Sequence, residues 1–272
     1  MPDSSRPLAV VTGSSSGIGA AIAVRLAESG FNLVIHARRN IRGLTETARS
    51  IASVAPSALV VSATADLRSP TGCRQFFQAA VARQTPSAWV NNAGADILTS
   101  AVASSSFEQR LQLLLDVDVQ ATIRLSRMIT QYWHDHFTVA TSPASKPCVV
   151  NVGWDQARLG MEGEPGQLFG TCKAAVEAFT TSLAMTTGKQ ARANCVAPGW
   201  IQTSWGTSNA ADYWHRRATS ESLTERWGTP QDVAEAVNWL VSPAAEFING
   251  QTILINGGRR YYPETSTSRV ED

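Results

Sequence analysis

Short apolar runs alternate along this chain with longer stretches of helical period. The first run, Leu8-Ala9-Val10-Val11, leads into a glycine turn and then a helix-like stretch from Ile18 to Ala27 that Gly30 stops. Further strands are predicted over Asn32–Ile35, Ala58–Val61, Ala88–Val90, Cys148–Asn151, Ala193–Val196 and Thr252–Ile255, with helical stretches between them. Ser69-Pro70 and Thr229-Pro230 place a capping hydroxyl before proline at the first helical position, and Asp232 follows Thr229 by three residues. Apolar, β-branched strands separated by helices imply an α/β fold: a doubly wound parallel sheet of about seven strands, covered on both faces. Residues 1–258 are expected to form one domain, followed by a polar tail over 259–272; Thr138–Pro147 also reads as irregular.

The composition agrees with a large buried interior. Of 272 residues 43% are hydrophobic and only 17% charged, which excludes a disordered chain. The 23 Lys and Arg balance the 22 Asp and Glu to a net charge of +1, so no electrostatic attraction to nucleic acid or an anionic membrane is expected. Cys73, Cys148, Cys172 and Cys195 form no Cys-x-x-Cys pair and read as buried free thiols of a reducing compartment. The polar start, Met1 to Pro7, lacks a signal-peptide core, and no apolar run approaches the ~18 residues of a membrane span. A cytoplasmic protein is expected. His134 and His136 stand two apart and diverge on a helix, so no metal site is expected.

Between the first strand and first helix lies Thr12-Gly13-Ser14-Ser15-Ser16-Gly17-Ile18-Gly19. Glycines there permit a tight turn and let backbone N–H groups approach a pyrophosphate at the positive end of the helix. The candidate phosphate-binding residues are Gly13, Ser15, Ser16, Gly17, Ile18 and Gly19. The second strand ends in His36-Ala37-Arg38-Arg39, with no acid to hold a ribose 2′-hydroxyl. Arg38 and Arg39 can instead grip a 2′-phosphate, so NADP(H) is favoured over NAD(H).

The Thr-Gly-x-x-x-Gly-Ile-Gly spacing, with Asn91-Asn92-Ala93-Gly94 after the fourth strand, resembles the short-chain dehydrogenase/reductase family. The resemblance covers about residues 7–258 and implies a Rossmann-type fold and an oxidoreductase. By that resemblance Asp66-Leu67 contacts the adenine; Asn92, Ala93 and Gly94, and the Pro198-Gly199-Trp200-Ile201-Gln202-Thr203 loop, line the cofactor through Pro198, Gly199, Ile201 and Thr203. It also implies a homodimer or homotetramer built on the long helices, roughly 108–137 and 168–187, and a small-molecule substrate.

The family's catalytic positions are mostly vacant. Where relatives carry Tyr and Lys four apart on one helix face, this chain has Phe169-Gly170-Thr171-Cys172-Lys173. Phe169 keeps the ring but has no hydroxyl, while Lys173 can still hold the nicotinamide ribose. Trp154 occupies the usual serine position; a longer interval to Phe169 leaves Gly153 or Asp155 as alternatives, neither with a hydroxyl. Asp118 replaces the amide of the helix motif. General acid catalysis is worth about 10²–10⁴ and an oxyanion donor about 10²–10³, so ordinary carbonyl chemistry should fall by at least ~10³. Two readings follow. One is an NADPH-dependent oxidoreductase acting on a carbonyl or a conjugated enoyl thioester-like group, with Asp155, Asp118 or water as the proton donor. The other is an inactive NADP(H)-binding homologue serving as a sensor or as a subunit of a hetero-oligomer. Trp200, Trp205 and Trp214, with Trp154 and Phe169, suggest a pocket for a bulky apolar substrate or one largely filled. Tyr261 and Tyr262 in the tail could reach a site in either subunit.

Overall fold

The computed structural model describes residues 5–99, 101–137, 146–203 and 212–260. Trp205, Tyr261, Tyr262, the rest of the tail and most of the 138–147 stretch lie outside the described residues. Seven parallel strands form one sheet in the order β3-β2-β1-β4-β5-β6-β7. They are β1 (Leu8–Val11), β2 (Asn32–Ala37), β3 (Val60–Thr64), β4 (Pro86–Asn91), β5 (Cys148–Val152), β6 (Arg192–Pro198) and β7 (Thr252–Ile255). The α-helices that accompany them among the described residues are α1 (Gly17–Glu28), α2 (Ile41–Val54), α3 (Pro70–Val81), α4 (Phe107–Leu114), α5 (Ala121–His136), α6 (Gly163–Thr187), α7 (Asp212–Glu221) and α8 (Pro230–Val241).

The period of two along each strand divides the core. Ala9, Val11, Leu33 and Ile35 face a layer containing Ile22, Leu26, Ile51 and Val237 from α1, α2 and α8. Leu8, Val10, Val34 and Val149 face the opposite layer, with Phe76, Leu125, Ile129 and Leu183 from α3, α5 and α6. This is the doubly wound arrangement that alternating strands and helices imply.

Strand existence follows the apolar runs and the boundaries move by a few residues. The largest shift is at β3, where Ala58 donates back to Ala55 O in a turn and the side chain of Asn32 takes Leu59 N–H, so pairing begins at Val60. The strand then runs on through Ser62 and Thr64, whose exposed side chains suit an edge strand. The two expected caps form: Ser69 Oγ accepts from Gly72 N–H, and Thr229 and Asp232 close a reciprocal capping box. The long helix predicted over 108–137 forms as α4 and α5 joined by a π-helical turn, Leu115–Gln120.

Buried polar groups stitch the central strands to the helices. Asn91 donates to Ser126 Oγ and Asn151 Oδ1, both at 2.9 Å, and accepts from Trp89 Nε1 at 2.9 Å. Asn151 in turn donates to Thr180 Oγ1 at 2.8 Å. All four cysteines are buried and free. No helix among the described residues is long and apolar enough to cross a membrane. Replacing Asn91 by alanine strands Trp89 N–H and two further groups in the interior. At about 1–3 kcal/mol per unpaired buried group, Asn91→Ala should lower unfolding free energy by about 2–4 kcal/mol, read from the midpoint of a urea transition.

Candidate active site

Strand order reverses beside β1: β2 leaves on one side and β4 on the other. The loops after β1 and β4 therefore diverge over opposite faces and leave a crevice at their carboxyl ends, where open α/β sheets bind ligands. The two loops are bolted together. Asn92 and Ala93 N–H both donate to Thr12 Oγ1 at 3.0 Å, and Asn92 Nδ2 donates to Thr12 O and Gly13 O at 3.1 Å. Gly13 has a φ of +65°, and a Cβ there would lie 2.7 Å from Ala93 Cα, so only glycine fits. A Cβ on Gly19 would come within 2.3 Å of Gly13 O.

His36 is the clip on the other side of the loop. Gly13 N–H donates to its Nδ1 at 3.2 Å, and its Nε2 donates to Ala65 O at 3.1 Å, which fixes the neutral Nε2–H tautomer. Burial pushes this imidazole down to about 4, against the opposing pull of the Ala65 carbonyl. Over Gly17, at φ +55°, the nearest approach to an added Cβ is Thr203 Cγ2 at 3.6 Å. Ser16 leaves α1 without a side-chain cap. The first N–H groups of α1 have no side-chain cap and no intrahelical acceptor, a cradle that fits a pyrophosphate. Ser15 lies in the turn before α1, and Ile18 and Gly19 in its first helical turn.

Arg38 and Arg39 are exposed just beyond β2. Asp66 lies nearby with its carboxylate clamped by Arg68, which holds it below the usual carboxylate range; Leu67 is buried beside it.

On α6, Phe169 and Lys173 share one face. Lys173 Nζ donates to Val152 O at 3.1 Å and pairs with Asp118 Oδ1 at 2.9 Å. Asp118 is only 3% exposed and its other oxygen accepts from Ala95 N–H at 2.9 Å. The π-helical turn between α4 and α5 brings this carboxylate inward, and Gly94 makes room: a Cβ there would meet Asp118 Oδ1 at 3.1 Å. Trp154 follows β5 and meets Phe169 edge to face, ring centroids 6.2 Å apart. Gly153 instead faces the interior, where a Cβ would strike Cys195 Sγ at 2.8 Å. Of the two, Trp154 is the one whose side chain lines the neighbouring cleft.

Above these residues opens a cleft of about 600 Å³. Ile18, Asn92, Lys173 and Thr203 line one part of it; Phe169, Met161 and the indoles of Trp154, Trp200, Trp214 and Trp227 line the rest, with Pro198, Gly199 and Ile201 contributing backbone and apolar surface. The wall is braced from outside. Arg217 lies 5.8 Å from the Trp200 ring and 5.5 Å from that of Trp214, and pairs with Glu162 and Glu221. Trp200 Nε1 donates to Glu221 at 3.1 Å.

Neither candidate acid is among the residues that line the cleft. Asp118 has each oxygen engaged, as a counter-ion rather than a donor. Asp155 does not line the cleft; it sits in a separate void of about 10 Å³ with Trp200, Glu221, Asn256 and Arg259, room for about one water. Asn256 Nδ2 donates to its Oδ2 at 3.1 Å, its Oδ1 has no partner, and burial pushes the carboxyl up to about 6. Thr12 and His36, which stand inside the sequence motifs without being singled out, and Met161 and Trp227 also belong to the site. His36 carried a signal of its own, as a polar side chain at the end of an apolar strand.

Comparison with known proteins agrees with the crevice. A family model described as enoyl-(acyl carrier protein) reductase matches residues 13–260. The uncharacterized oxidoreductase YgfF of Escherichia coli K12 is 29% identical over 254 residues, 93% of this chain and 99% of that one. The 3beta-hydroxysteroid dehydrogenase 1 of Eggerthella lenta is 30% identical over 257 residues, 93% and 94% of the two chains. The crystal structure of a short chain dehydrogenase from Burkholderia cenocepacia J2315 in complex with NADP superposes at a TM-score of 0.78 and 26% identity, over 93% and 97% of the chains.

Two buried titrating groups oppose each other in acid. His36, lowered from 6.5 to about 4, stabilises the fold above pH 6.5 and that contribution is lost as pH falls toward 4. Asp155, raised from 3.8 to about 6, contributes stability below pH 3.8 that is lost as pH rises through 6. Two pKa units correspond to about 3 kcal/mol. Asp155→Asn should therefore raise thermal stability at pH 8, leave it unchanged near pH 4, and expose a steeper acid loss governed by His36. Melting curves from pH 4 to 8 check this.

Proposed function

Because the chain belongs to the short-chain dehydrogenase/reductase family of oxidoreductases, we propose that it is an NADP(H)-dependent enzyme acting on a carbonyl or conjugated enoyl group of a bulky, apolar small molecule, without the tyrosine hydroxyl. The observation that carries this reading is the position of Lys173: it reaches the cleft together with Ile18, Asn92 and Thr203, while aromatic rings fill the wall opposite. A dinucleotide binding along the crevice would rest its pyrophosphate on Gly13, Ser15, Ser16, Gly17, Ile18 and Gly19. Arg38 and Arg39 would take the 2′-phosphate, and Asp66 and Leu67 the adenine. Asn92, Ala93, Gly94, Pro198, Gly199, Ile201 and Thr203 would flank the nicotinamide, with Lys173 on its ribose hydroxyls. The bound cofactor supplies a hydride.

This chain's own residues then position and desolvate. Val152 O and Asp118 occupy two of the three donors on the Lys173 ammonium, which leaves one N–H for a ribose hydroxyl or a substrate oxygen. Lys173 is the only charged acid lining the cleft among the described residues, so the proton comes from it or from water. The apolar Phe169 and Trp154 also favour a second reading, an NADP(H)-binding homologue without turnover. We further assign residues 1–258 to the dinucleotide-binding domain, and expect a cytoplasmic homodimer or homotetramer assembled on the long helices.

Titration of nicotinamide fluorescence tests the reading. NADPH should bind at least tenfold more tightly than NADH, Arg38→Ala should erase most of that difference, and Lys173→Met should weaken both by about tenfold, the scale of one lost charge-assisted contact. Binding of neither nucleotide would overturn it. Turnover of any carbonyl or enoyl compound that disappears in Lys173→Met would eliminate the inactive alternative. Phe169→Tyr combined with Trp154→Ser should bring in weak ketone reduction.

A further inference from the structure

The cleft's charge balance and its missing donors point to the same kind of ligand. Hydride addition to a ketone converts a neutral group into an alkoxide, which in relatives is quenched by hydroxyls at the positions of Phe169 and Trp154. Here those positions carry a phenyl ring and an indole, neither with a hydroxyl proton to hand over, packed edge to face with centroids 6.2 Å apart. Asp155 is shut behind Trp200, and both oxygens of Asp118 are engaged. Creating an alkoxide against apolar walls, with only the one remaining N–H of Lys173 to meet it, is costly. Accepting a hydride on a cation creates no new charge at all, since the positive charge only moves from the acceptor to the donor.

The walls suit a cation as well. Of eight tryptophans in the chain, four line this cleft, at 154, 200, 214 and 227. Aromatic faces attract organic cations, and indole does so best. Arg217 already demonstrates this on the outer side, with its guanidinium over Trp200 and Trp214 although it does not line the cleft. The one charge that would repel a cation, Lys173, is matched at 2.9 Å by Asp118, so the site is neutral as a whole.

We propose that this cleft binds a flat organic cation, an iminium group conjugated to or fused with an apolar ring system, in preference to the neutral carbonyl compound of the same shape. The inference rests on the reading of the cleft as the substrate site of an oxidoreductase and names its substrate class. When the iminium carbon accepts a hydride from a bound dihydronicotinamide, a C–H bond forms, the C=N π pair becomes the nitrogen lone pair, the dihydronicotinamide is oxidised to its cation, and the product is a neutral tertiary amine. No proton enters, which removes the need for the absent tyrosine and serine.

The test compares N-methyl-3,4-dihydroisoquinolinium with 1-tetralone, a neutral ketone of similar size. Binding is followed by quenching of tryptophan fluorescence, on the protein alone and with NADP⁺. The iminium should bind at least tenfold more tightly, a ratio on the scale of a desolvated cation–π contact. Trp214→Leu should cost the iminium several times more affinity than it costs the ketone. Asp118→Asn, which leaves Lys173 uncompensated, should weaken the iminium and not the ketone; circular dichroism shows whether that variant folds, and the wild-type ratio decides the matter if it does not. With NADPH the iminium should be reduced at a rate unchanged in deuterium oxide, while 1-tetralone is left intact. Equal or tighter binding of 1-tetralone, or its faster reduction, would overturn the inference while leaving the oxidoreductase reading in place. Failure of NADPH to bind would strike the oxidoreductase reading alone, because the two probes are still ranked on the protein without nucleotide.

Discussion

The reversal of strand order beside β1 is the constraint on which the site depends. With β2 on one flank and β4 on the other, the chain must leave β1 and β4 toward opposite faces, and the loops part at the carboxyl edge. The crevice costs packing, and the structure compensates with hydrogen bonds across its floor. Thr12 Oγ1 accepts two backbone N–H groups from the β4 loop, Asn92 returns two bonds from its amide, and His36 ties Gly13 to the end of β3. The glycines of the first loop are therefore held in place before any ligand arrives, which lowers the ordering cost of binding.

A second constraint is electrostatic. An ammonium placed 13% exposed beside an aromatic cleft needs a counter-charge, and Asp118 provides one from a π-helical turn between α4 and α5. Removing either partner would leave a charge with little solvent to stabilise it. Gly94 and Ala95 complete the arrangement, the first by giving way and the second by donating its N–H. Lys173 is thereby aimed without help from residue 169.

The fold and the cofactor crevice were legible in the amino-acid sequence for the same reason: both rest on local chemistry. Apolar runs of four to six residues such as Leu8–Val11 and Asn32–Ala37 must become buried strands, a Ser-Pro or Thr-Pro pair starts a helix wherever it stands, and Thr12 to Gly19 can turn tightly only because of its glycines. The loss of hydroxyls at Phe169 and Trp154 was visible by the same direct reading, since a residue without an oxygen cannot gain one by folding.

What Asp118 and Asp155 do could not be read that way. Along the chain each is an acid near a catalytic motif, and either could serve as a proton donor. Their roles depend on what lies within 3.1 Å, and those neighbours come from distant segments: Lys173 and Ala95 for Asp118, Asn256 for Asp155. The same holds for His36, whose partners Gly13 and Ala65 sit on two other loops, and for Trp227, which reaches the cleft from beyond α7. The sequence by itself determined a parallel α/β sheet, a dinucleotide-type glycine loop and a phenyl ring four residues before Lys173, because these are properties of neighbouring residues. Only the tertiary structure decided which carboxylate is a counter-ion and which is sealed away, because charge, burial and hydrogen bonding are set by contacts the chain makes with itself across long separations.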